Sequence, residues 1–297
     1  MRRSTLFLSV GLALILAAGA LNAQGLTPIE ELGKRMYKDT ALSYNNTHSC
    51  QSCHQPSIGF ADPDNAADPQ ISVVSTGADG VSTGGRNAPS AAYAGNSPKL
   101  GKGADGKYYG GMFWDGRATG HILGDPLAEQ ALGPPLNEVE MAMPDKAAAV
   151  AAVAASEYAD LFLQVFKMNN FSDVTAVYDN FGRAIAAFER SQSVQRFNSR
   201  FDRGRLTEAE DRGQALFAAS CADCHPNTPQ AATGAVLFTT YGYANIGLPP
   251  NPSLGLSDPD LGLGGFLQTD FDTFKNIDDE DYAAQYGKFK IPTLRNV

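Results

Sequence analysis

Apolar side chains recur at helical intervals in two segments near the middle of the chain. The first, Asp145–Phe166, is rich in alanine and predicts one helix with larger apolar side chains at Val150, Val153, Tyr158, Leu161, Phe162 and Val165. The second, Ser172–Arg190, predicts another with apolar side chains at Val174, Val177, Tyr178, Phe181, Ile185 and Phe188. Each spacing gives a helix one face to bury. Because no segment alternates strongly as a β-strand does, the pattern predicts a mainly α fold.

A sequence repeat predicts two further helices that begin in the same way. Leu26–Tyr37 and Leu206–Phe217 share the pattern L-T-x-x-E-acid-x-G-x-x-apolar-aromatic, 180 residues apart. A glycine inside a helix costs about 1 kcal/mol relative to alanine. Its presence in both copies, as Gly33 and Gly213, therefore predicts close packing of each helix against a neighbour. Each copy also has a capping box, which marks a helix start, at Thr27 and Glu30 and at Thr207 and Glu210.

Glycine, proline and small polar residues fill much of the remaining chain, which has 30 glycines and 17 prolines. We predict long ordered loops over Asp62–Gly110 and Gly242–Gly265. Ser191–Arg205 predicts a linker between two domains. We therefore expect an N-terminal domain over residues 24–190 and a C-terminal domain over residues 191–297.

The N-terminus has the organisation of a secretion signal. Two arginines at positions 2 and 3 precede an apolar run, Leu6–Ala18, which is shorter than the ~20 residues that a membrane span needs. Cleavage after Ala23, or alternatively after Ala20, would release the mature chain. We predict a signal peptide over residues 1–23, a periplasmic location and no membrane span after processing. An uncleaved anchor helix is the alternative.

The charge balance excludes one class of partner. Aspartate and glutamate number 32 against 23 lysines and arginines, so the net charge is −9, and −11 once Arg2 and Arg3 are removed. Nucleic-acid binding requires a basic surface, so we expect no nucleic-acid partner. A basic protein partner is compatible with this balance.

All four cysteines lie in two copies of the pattern C-x-x-C-H, CQSCH at 50–54 and CADCH at 221–225. The pattern is the attachment signature of c-type haem: two thiols on one turn form thioether bonds, and the next imidazole binds the iron. One zinc site made of four cysteines, or two disulfides, are the alternatives, and both leave the histidines without a role. We predict two covalently bound haems, attached through Cys50, Cys53 and His54 and through Cys221, Cys224 and His225.

The sixth position of each iron separates an electron carrier from an enzyme, which keeps that position open or openable. After His225 the sequence has no methionine or histidine, and we therefore expect a chain truncated at its C-terminus. Tyrosines are the remaining candidates for the second iron, at Tyr241, Tyr243, Tyr282 and Tyr286. Candidates for the first iron are His48, Met112, His121, Met141 and Met143.

Several short motifs, taken in order, resemble those of the bacterial dihaem cytochrome c peroxidases and the related MauG-type oxidases. They cover nearly all of the chain after the signal: SCQSCH at 49–54 followed by GF at 59–60, RNAPS at 86–90, FWDGR at 113–117, GP at 133–134, EM at 140–141, FER at 188–190, CADCH at 221–225 and PTLRNV at 292–297. The resemblance implies two cytochrome-c-like haem domains with long ordered loops.

The resemblance also implies roles for single residues. The haem held by His54 is similar to the peroxide-binding haem, with Glu140 as the distal acid–base residue and Pro134 shaping the pocket. Trp114 resembles the residue that relays electrons between the haems. The haem held by His225 is similar to the one that receives electrons from a small cytochrome or copper protein. Family members also hold a calcium ion between the domains, matched here by Asn87 and Pro292.

Two departures from the family pattern bear on function. Many family peroxidases carry, in the loop before Arg86, a histidine that blocks the first haem; residues 75–85 contain none, which implies a permanently open site as in the MauG-type branch. The region expected to bear the sixth ligand of the second haem is absent. We predict a periplasmic peroxidase that reduces hydrogen peroxide to water. A MauG-type oxidase that modifies a protein side chain and a non-enzymatic dihaem electron carrier are the alternatives, and homodimerisation is left open.

Overall fold

Helices dominate the part of the chain that the computed structural model describes, which is residues 25–231, 233–255, 258–269 and 282–295. The predicted signal peptide lies outside these residues, as do the last two residues of the PTLRNV motif. The helices are α1 (Pro28–Tyr37), α2 (Cys50–Cys53), α3 (Pro63–Ala67), α4 (Pro126–Ala131), α5 (Gly133–Leu136), α6 (Lys146–Ala155), α7 (Ala159–Phe166), α8 (Val174–Glu189), α9 (Glu208–Ser220) and α10 (Gly262–Thr269). Two antiparallel pairs join β1 (Gly101–Lys102) to β2 (Tyr108–Tyr109) and β3 (Tyr243–Ala244) to β4 (Phe289–Lys290).

The helix α8 is the centre of the largest apolar core. Its predicted apolar face is buried at Val177, Tyr178, Phe181, Ile185 and Phe188, and the helix begins with the Asp173 carboxylate accepting from Ala176 N at 3.0 Å. The helix α1 packs along it and contributes Leu32, Met36 and Tyr37 to the same core. The helix predicted over Ser172–Arg190 is confirmed.

The two repeat helices begin as predicted but differ in how they pack. In each, the glutamate of the capping box accepts a 2.7 Å hydrogen bond from the backbone N of its threonine. A Cβ added to Gly33 would overlap the Ala184 carbonyl oxygen and lie 2.9 Å from Phe188 Cβ, so close packing is confirmed there. At Gly213 the same atom would meet nothing within 4 Å. Among the described residues, the prediction of close packing is therefore wrong at Gly213, because α9 buries none of its side chains.

The segment predicted as one helix over Asp145–Phe166 is two helices, α6 and α7, bent by 108°. Ser156 ends the first helix in an extended conformation, and its hydroxyl donates to the Val153 carbonyl at 2.6 Å. Tyr158 is buried in the core and its hydroxyl donates to Asp39 Oδ2 at 2.6 Å. The apolar spacing predicted a single helix because α6 and α7 both bury side chains in the same core, so the apolar pattern continues across the break. No single described helix is long and apolar enough to cross a membrane.

The predicted loops contain a few short elements. Helix α3 and the pair β1–β2 lie within Asp62–Gly110, and β3 and the start of α10 lie within Gly242–Gly265. The predicted linker Ser191–Arg205 has no helix or strand, yet Val194 is buried and the Gln195 side chain accepts from Asn96 Nδ2 at 2.9 Å. The boundary between the two expected domains stays a prediction.

Candidate functional site

The first C-x-x-C-H motif forms a single helical turn, α2. Ser49 and Ser52 make a capping box at its start, and the His54 backbone N donates to the Cys50 carbonyl at 3.0 Å. Both thiols are free. The turn therefore presents two thiols and an imidazole within five residues.

The His54 ring is oriented through one of its nitrogens. Nδ1 lies 3.3 Å from the Phe60 carbonyl oxygen, and because a carbonyl only accepts, Nδ1 carries the proton. Burial lowers the pKa of His54, which favours the neutral imidazole that metals bind. The Tyr37 hydroxyl donates to the His54 carbonyl at 2.9 Å and ties α1 to the motif. This arrangement leaves Nε2 as the nitrogen that a metal could use.

The second C-x-x-C-H motif uses the same arrangement directly after α9. Cys221 and Cys224 are free and exposed, and the His225 backbone N donates to the Cys221 carbonyl at 2.9 Å. His225 Nδ1 donates to the Phe238 carbonyl at 2.8 Å. Phe60 and Phe238 both have left-handed backbones, with φ of 62° and 51°. The sequence analysis missed both carbonyls, and the clue was the aromatic end of each repeat: Tyr37 contacts Phe60 edge-on, and Phe217 contacts Phe238.

These donor sets fit c-type haem and not the alternatives. The free thiols exclude two disulfides in this structure. No group of three or more His, Cys, Asp or Glu side chains among the described residues could hold a metal ion, so the four-cysteine zinc site is wrong. Each motif supplies two adjacent thiols and one oriented imidazole, which is the set that covalent haem attachment requires.

Glu140 is half-buried and lies close to the first motif. Its Oε1 accepts a short 2.5 Å hydrogen bond from Asn137 Nδ2. Burial raises the pKa of Glu140, and the Asn137 bond and the Arg117 charge offset part of that rise. Burial also raises the pKa of Cys50 and Cys53, and the Glu140 charge adds to the rise at both thiols. The carboxylate therefore lies within electrostatic reach of the attachment turn.

Helix α5 and the Phe113–Arg117 segment pack together as a wall near Glu140. A Cβ on Gly133 would lie 3.0 Å from the Phe113 ring, so glycine permits the two segments to meet. The Arg117 guanidinium stacks 3.7 Å from the centre of the Phe113 ring. Pro134, on the same helix, accepts from the Met141 backbone N at 3.2 Å and thereby holds the segment that carries Glu140.

A chain of charges leads from this wall toward the C-terminal part of the protein. Arg117 Nη1 bonds Asp115 Oδ2 at 2.9 Å, and Arg86 Nη1 bonds the same oxygen at 2.6 Å. Arg86 then holds Asp260 through two bonds of 2.7 Å. The sequence analysis missed Asp260, which lies 174 residues from its partner.

Trp114 contacts both parts of the chain. Its Nε1 donates to the Asn87 carbonyl at 2.8 Å, and its own carbonyl accepts from Lys290 N in β4 at 2.8 Å. The Lys290 ammonium donates to the Gly111 carbonyl at 2.6 Å, and burial lowers its pKa to about 7. Lys290 in β4 therefore holds the backbone at Trp114 and, through its side chain, at Gly111.

The other candidate ligands have local partners or lie in the core. His48 Nδ1 bonds the Thr47 hydroxyl at 3.0 Å, and His121 Nε2 bonds the Leu100 carbonyl at 2.7 Å. Tyr243 donates to the Gly110 carbonyl, Tyr286 bonds Gln268 Oε1, and Tyr282 contacts the Tyr286 ring. The Tyr241 hydroxyl is buried without a hydrogen-bond partner among the described residues. The methionines are packed in apolar clusters: Met112, Met141 and Met143.

Comparison with known proteins places this geometry in context. The family model of the di-haem cytochrome c peroxidases matches residues 28–210. The methylamine utilization protein MauG of Paracoccus denitrificans is 37% identical over 294 residues, which cover 95% of this chain and 73% of that protein. The cytochrome c551 peroxidase of Nitrosomonas europaea is 29% identical, covering 99% of this chain and 76% of its own. The structure of the diheme peroxidase BthA of Burkholderia thailandensis is similar with a TM-score of 0.77 at 30% identity, covering 92% of this chain and 67% of that one.

Proposed function

Because this chain belongs to the di-haem cytochrome c peroxidase family, a family of oxidoreductases, we propose that it carries two covalently attached c-type haems and reduces hydrogen peroxide to water. His54 and His225 are the iron ligands, and the cysteine pairs 50/53 and 221/224 are the attachment points. Bound haems would supply the redox-active iron that this reduction requires. The reaction consumes one peroxide, two protons and two electrons and releases two waters.

Glu140 is the proposed acid–base residue, and the observation that carries the proposal is its half-buried carboxyl group, held by Asn137 close to the first attachment turn. Peroxide must lose a proton from one oxygen and gain one at the other before the bond breaks, and one carboxyl group can perform both transfers. Asn137 Nδ2 donates to Oε1 at 2.5 Å and so restrains the carboxyl group; in this proposal Oε2 exchanges protons with the substrate. Burial raises the pKa of Glu140 toward the range in which a carboxyl both accepts and donates.

His225 would hold the haem that receives electrons from the donor, and Trp114 is the proposed relay residue between the two haem sites. The support is that the tryptophan is bonded to Asn87 on one side and to Lys290 on the other. The donor is a small cytochrome or copper protein in the periplasm, reached after removal of residues 1–23. In this proposal the first haem belongs to a domain over residues 24–190 and the second to one over residues 191–297.

A calcium ion between the domains is a further part of the proposal, with Asn87 and Pro292 as its predicted ligands. Asn87 is exposed, and its side-chain N donates to the Val73 carbonyl at 3.3 Å; in this proposal its side-chain oxygen is the calcium ligand. Oxygen ligands of this kind suit calcium. Removal of calcium with a chelator is expected to lower peroxide turnover, and turnover that is unchanged in metal-free protein would contradict the proposal.

The experiment that tests the peroxidase proposal compares Glu140→Gln with Glu138→Gln, an exposed neighbour that serves as a matched control. Fully haem-loaded proteins are mixed with peroxide and followed by stopped-flow absorbance and EPR. The expected result is a high-spin ferric haem whose reaction with peroxide slows about 10²–10⁴-fold in Glu140→Gln and is unchanged in Glu138→Gln. Two low-spin haems that ignore peroxide even after half-reduction would overturn the proposal.

A second candidate function is a MauG-type oxidase that uses the same oxidising equivalents on a protein side chain. The observations that favour it are the 37% identity to MauG and the absence of histidine from residues 75–85. Turnover with a reduced small cytochrome or copper protein separates the two functions. A fast peroxide reaction without donor turnover would favour the oxidase.

A further inference from the structure

Arg295, in the PTLRNV motif, is one of the most tightly held charged residues described. It is only 6% exposed. Its Nη1 and Nη2 donate to the two carboxylate oxygens of Asp202 at 3.0 and 2.7 Å, and its Nε donates to the Val236 carbonyl at 2.6 Å. The pKa of Asp202 is held at about 2 by these bonds, so the carboxylate stays charged. The proposed chemistry gives Arg295 no role.

Three aromatic rings surround the same guanidinium group. The Arg295 Cζ lies 4.6 Å from the centre of the Phe197 ring, 5.0 Å from Tyr93 and 5.6 Å from Phe238. A planar guanidinium can stack on aromatic faces while its edge bonds a carboxylate in two places, which an ammonium group cannot do. The Arg295 guanidinium therefore contacts the Phe238 ring while it is bonded to Asp202.

Phe238 is the residue whose carbonyl accepts from His225 Nδ1 at 2.8 Å. Its φ of 51° lies in the left-handed region, which a phenylalanine adopts only where the surroundings hold it. The same backbone is tied on each side of Phe238: Thr293 Oγ1 donates to the Leu237 carbonyl at 2.7 Å, and Thr239 Oγ1 donates to the Ile291 carbonyl at 2.6 Å. Residues 291–295 thus run beside the segment that orients His225.

We propose that Arg295, locked by Asp202, is a positioning residue for the iron ligand His225: it holds the Phe238 carbonyl where it accepts the Nδ1 proton and so sets the strength of the second haem's proximal ligand. A hydrogen bond at Nδ1 makes the imidazole a stronger donor, which favours the ferric state. This inference rests on the proposed haem ligation by His225. It does not depend on peroxide reduction.

The first haem motif provides an internal comparison. Arg86 begins the sequence Arg-Asn, as Arg295 does, and it also binds an aspartate, Asp260, through two hydrogen bonds. The Arg86 guanidinium, however, lies over the Phe289 ring. The Phe60 carbonyl, which accepts from His54 Nδ1, also accepts from Ala91 N at 3.0 Å. Arg86→Lys is therefore a matched control that removes a doubly bonded arginine without touching the His225 support.

The test uses the full haem-loaded chain with Arg295→Lys, which keeps the charge but loses the planar fork. The expected result is a changed set of EPR g-values for the His225 haem and an upward shift of its midpoint potential, with the His54 haem unchanged. Asp202→Asn, which breaks the lock from the other side at constant shape, is expected to change the same g-values. Arg86→Lys is expected to leave that signal as it is in the unsubstituted protein.

Several outcomes would overturn the inference. One is an unchanged His225 haem in folded Arg295→Lys, judged by circular dichroism and full haem content. Another is an equal change at both haems, which would indicate a general loss of structure. If Arg295→Lys does not fold, an unchanged EPR signal in Asp202→Asn overturns it. Peroxide reactivity, measured in the same samples, reports separately on the proposed function.

Discussion

The glycine shared by the two repeat helices offers a sharp test, because the same substitution is expected to have opposite effects at its two positions. In Gly33→Ala the new methyl group would overlap the Ala184 carbonyl oxygen and lie 2.7 Å from the Ala184 carbonyl carbon and 2.9 Å from Phe188 Cβ. Ordinary contacts of this kind are about 3.4–4 Å. Two of the obstructing atoms are backbone, so α1 and α8 have to separate.

The magnitude follows from two opposing terms. Overpacking a core costs about 1–3 kcal/mol, and a rigid backbone obstacle places Gly33→Ala at the upper end of that range. Replacing a helical glycine by alanine returns about 1 kcal/mol. We expect the free energy of unfolding to fall by about 2 kcal/mol, which lowers Tm by about 4–8 °C in a chain of this size.

The assay is thermal and urea unfolding of the haem-loaded protein, with Gly213→Ala as the matched control. Nothing lies within 4 Å of a Cβ at Gly213 among the described residues, so only the helix preference acts and stability is expected to rise by up to about 1 kcal/mol. Gly33→Ala should also disturb the absorbance of the first haem, because α1 ends at Tyr37, which holds His54. Shifts of the same sign at both glycines would refute the packing argument.

Three further predictions concern charge. Burial raises the pKa of Glu189 from its ordinary 4.5 to about 8. As the pH rises, the unfolded chain loses this proton before the folded protein does, so the free energy of unfolding should fall by a few kcal/mol between about pH 4.5 and 8. In urea unfolding, Glu189→Gln should not show this fall, and a pH profile like that of the unsubstituted protein would contradict the prediction. The Arg117 charge lowers the pKa of Glu140. In stopped-flow measurements, Arg117→Gln should therefore move the low-pH limb of the rate of the peroxide reaction to higher pH. A shift to lower pH would count against Glu140 as the base. The net charge of −9 predicts that reaction with a basic electron donor slows as ionic strength rises, and a rate independent of salt would exclude electrostatic steering.

Local features of the sequence predicted several helices and their capping boxes correctly, and they are also the basis of the proposed haem-attachment turns. The C-x-x-C-H motif needs only one turn of backbone, and each capping box spans four residues, so neighbouring residues determine both. The break near Ser156 could not be read from spacing, because α6 and α7 both place apolar side chains in one core. The Asn137 bond to Glu140 spans only three residues, so it is a local feature of the sequence, unlike the long-range bonds of the arginines.

The sequence by itself determined the two C-x-x-C-H motifs, where the repeat helices begin and which family the motifs resemble, because these properties depend on residue identity over short spans. Only the tertiary structure decided how those residues are held. The carbonyls that orient His54 and His225 belong to any residue type, and the Arg295 bonds to Asp202 and the Arg86 bonds to Asp260 cross 93 and 174 residues. Gly33 and Gly213 occupy the same position in the repeat, but only Gly33 is in contact with a neighbouring helix.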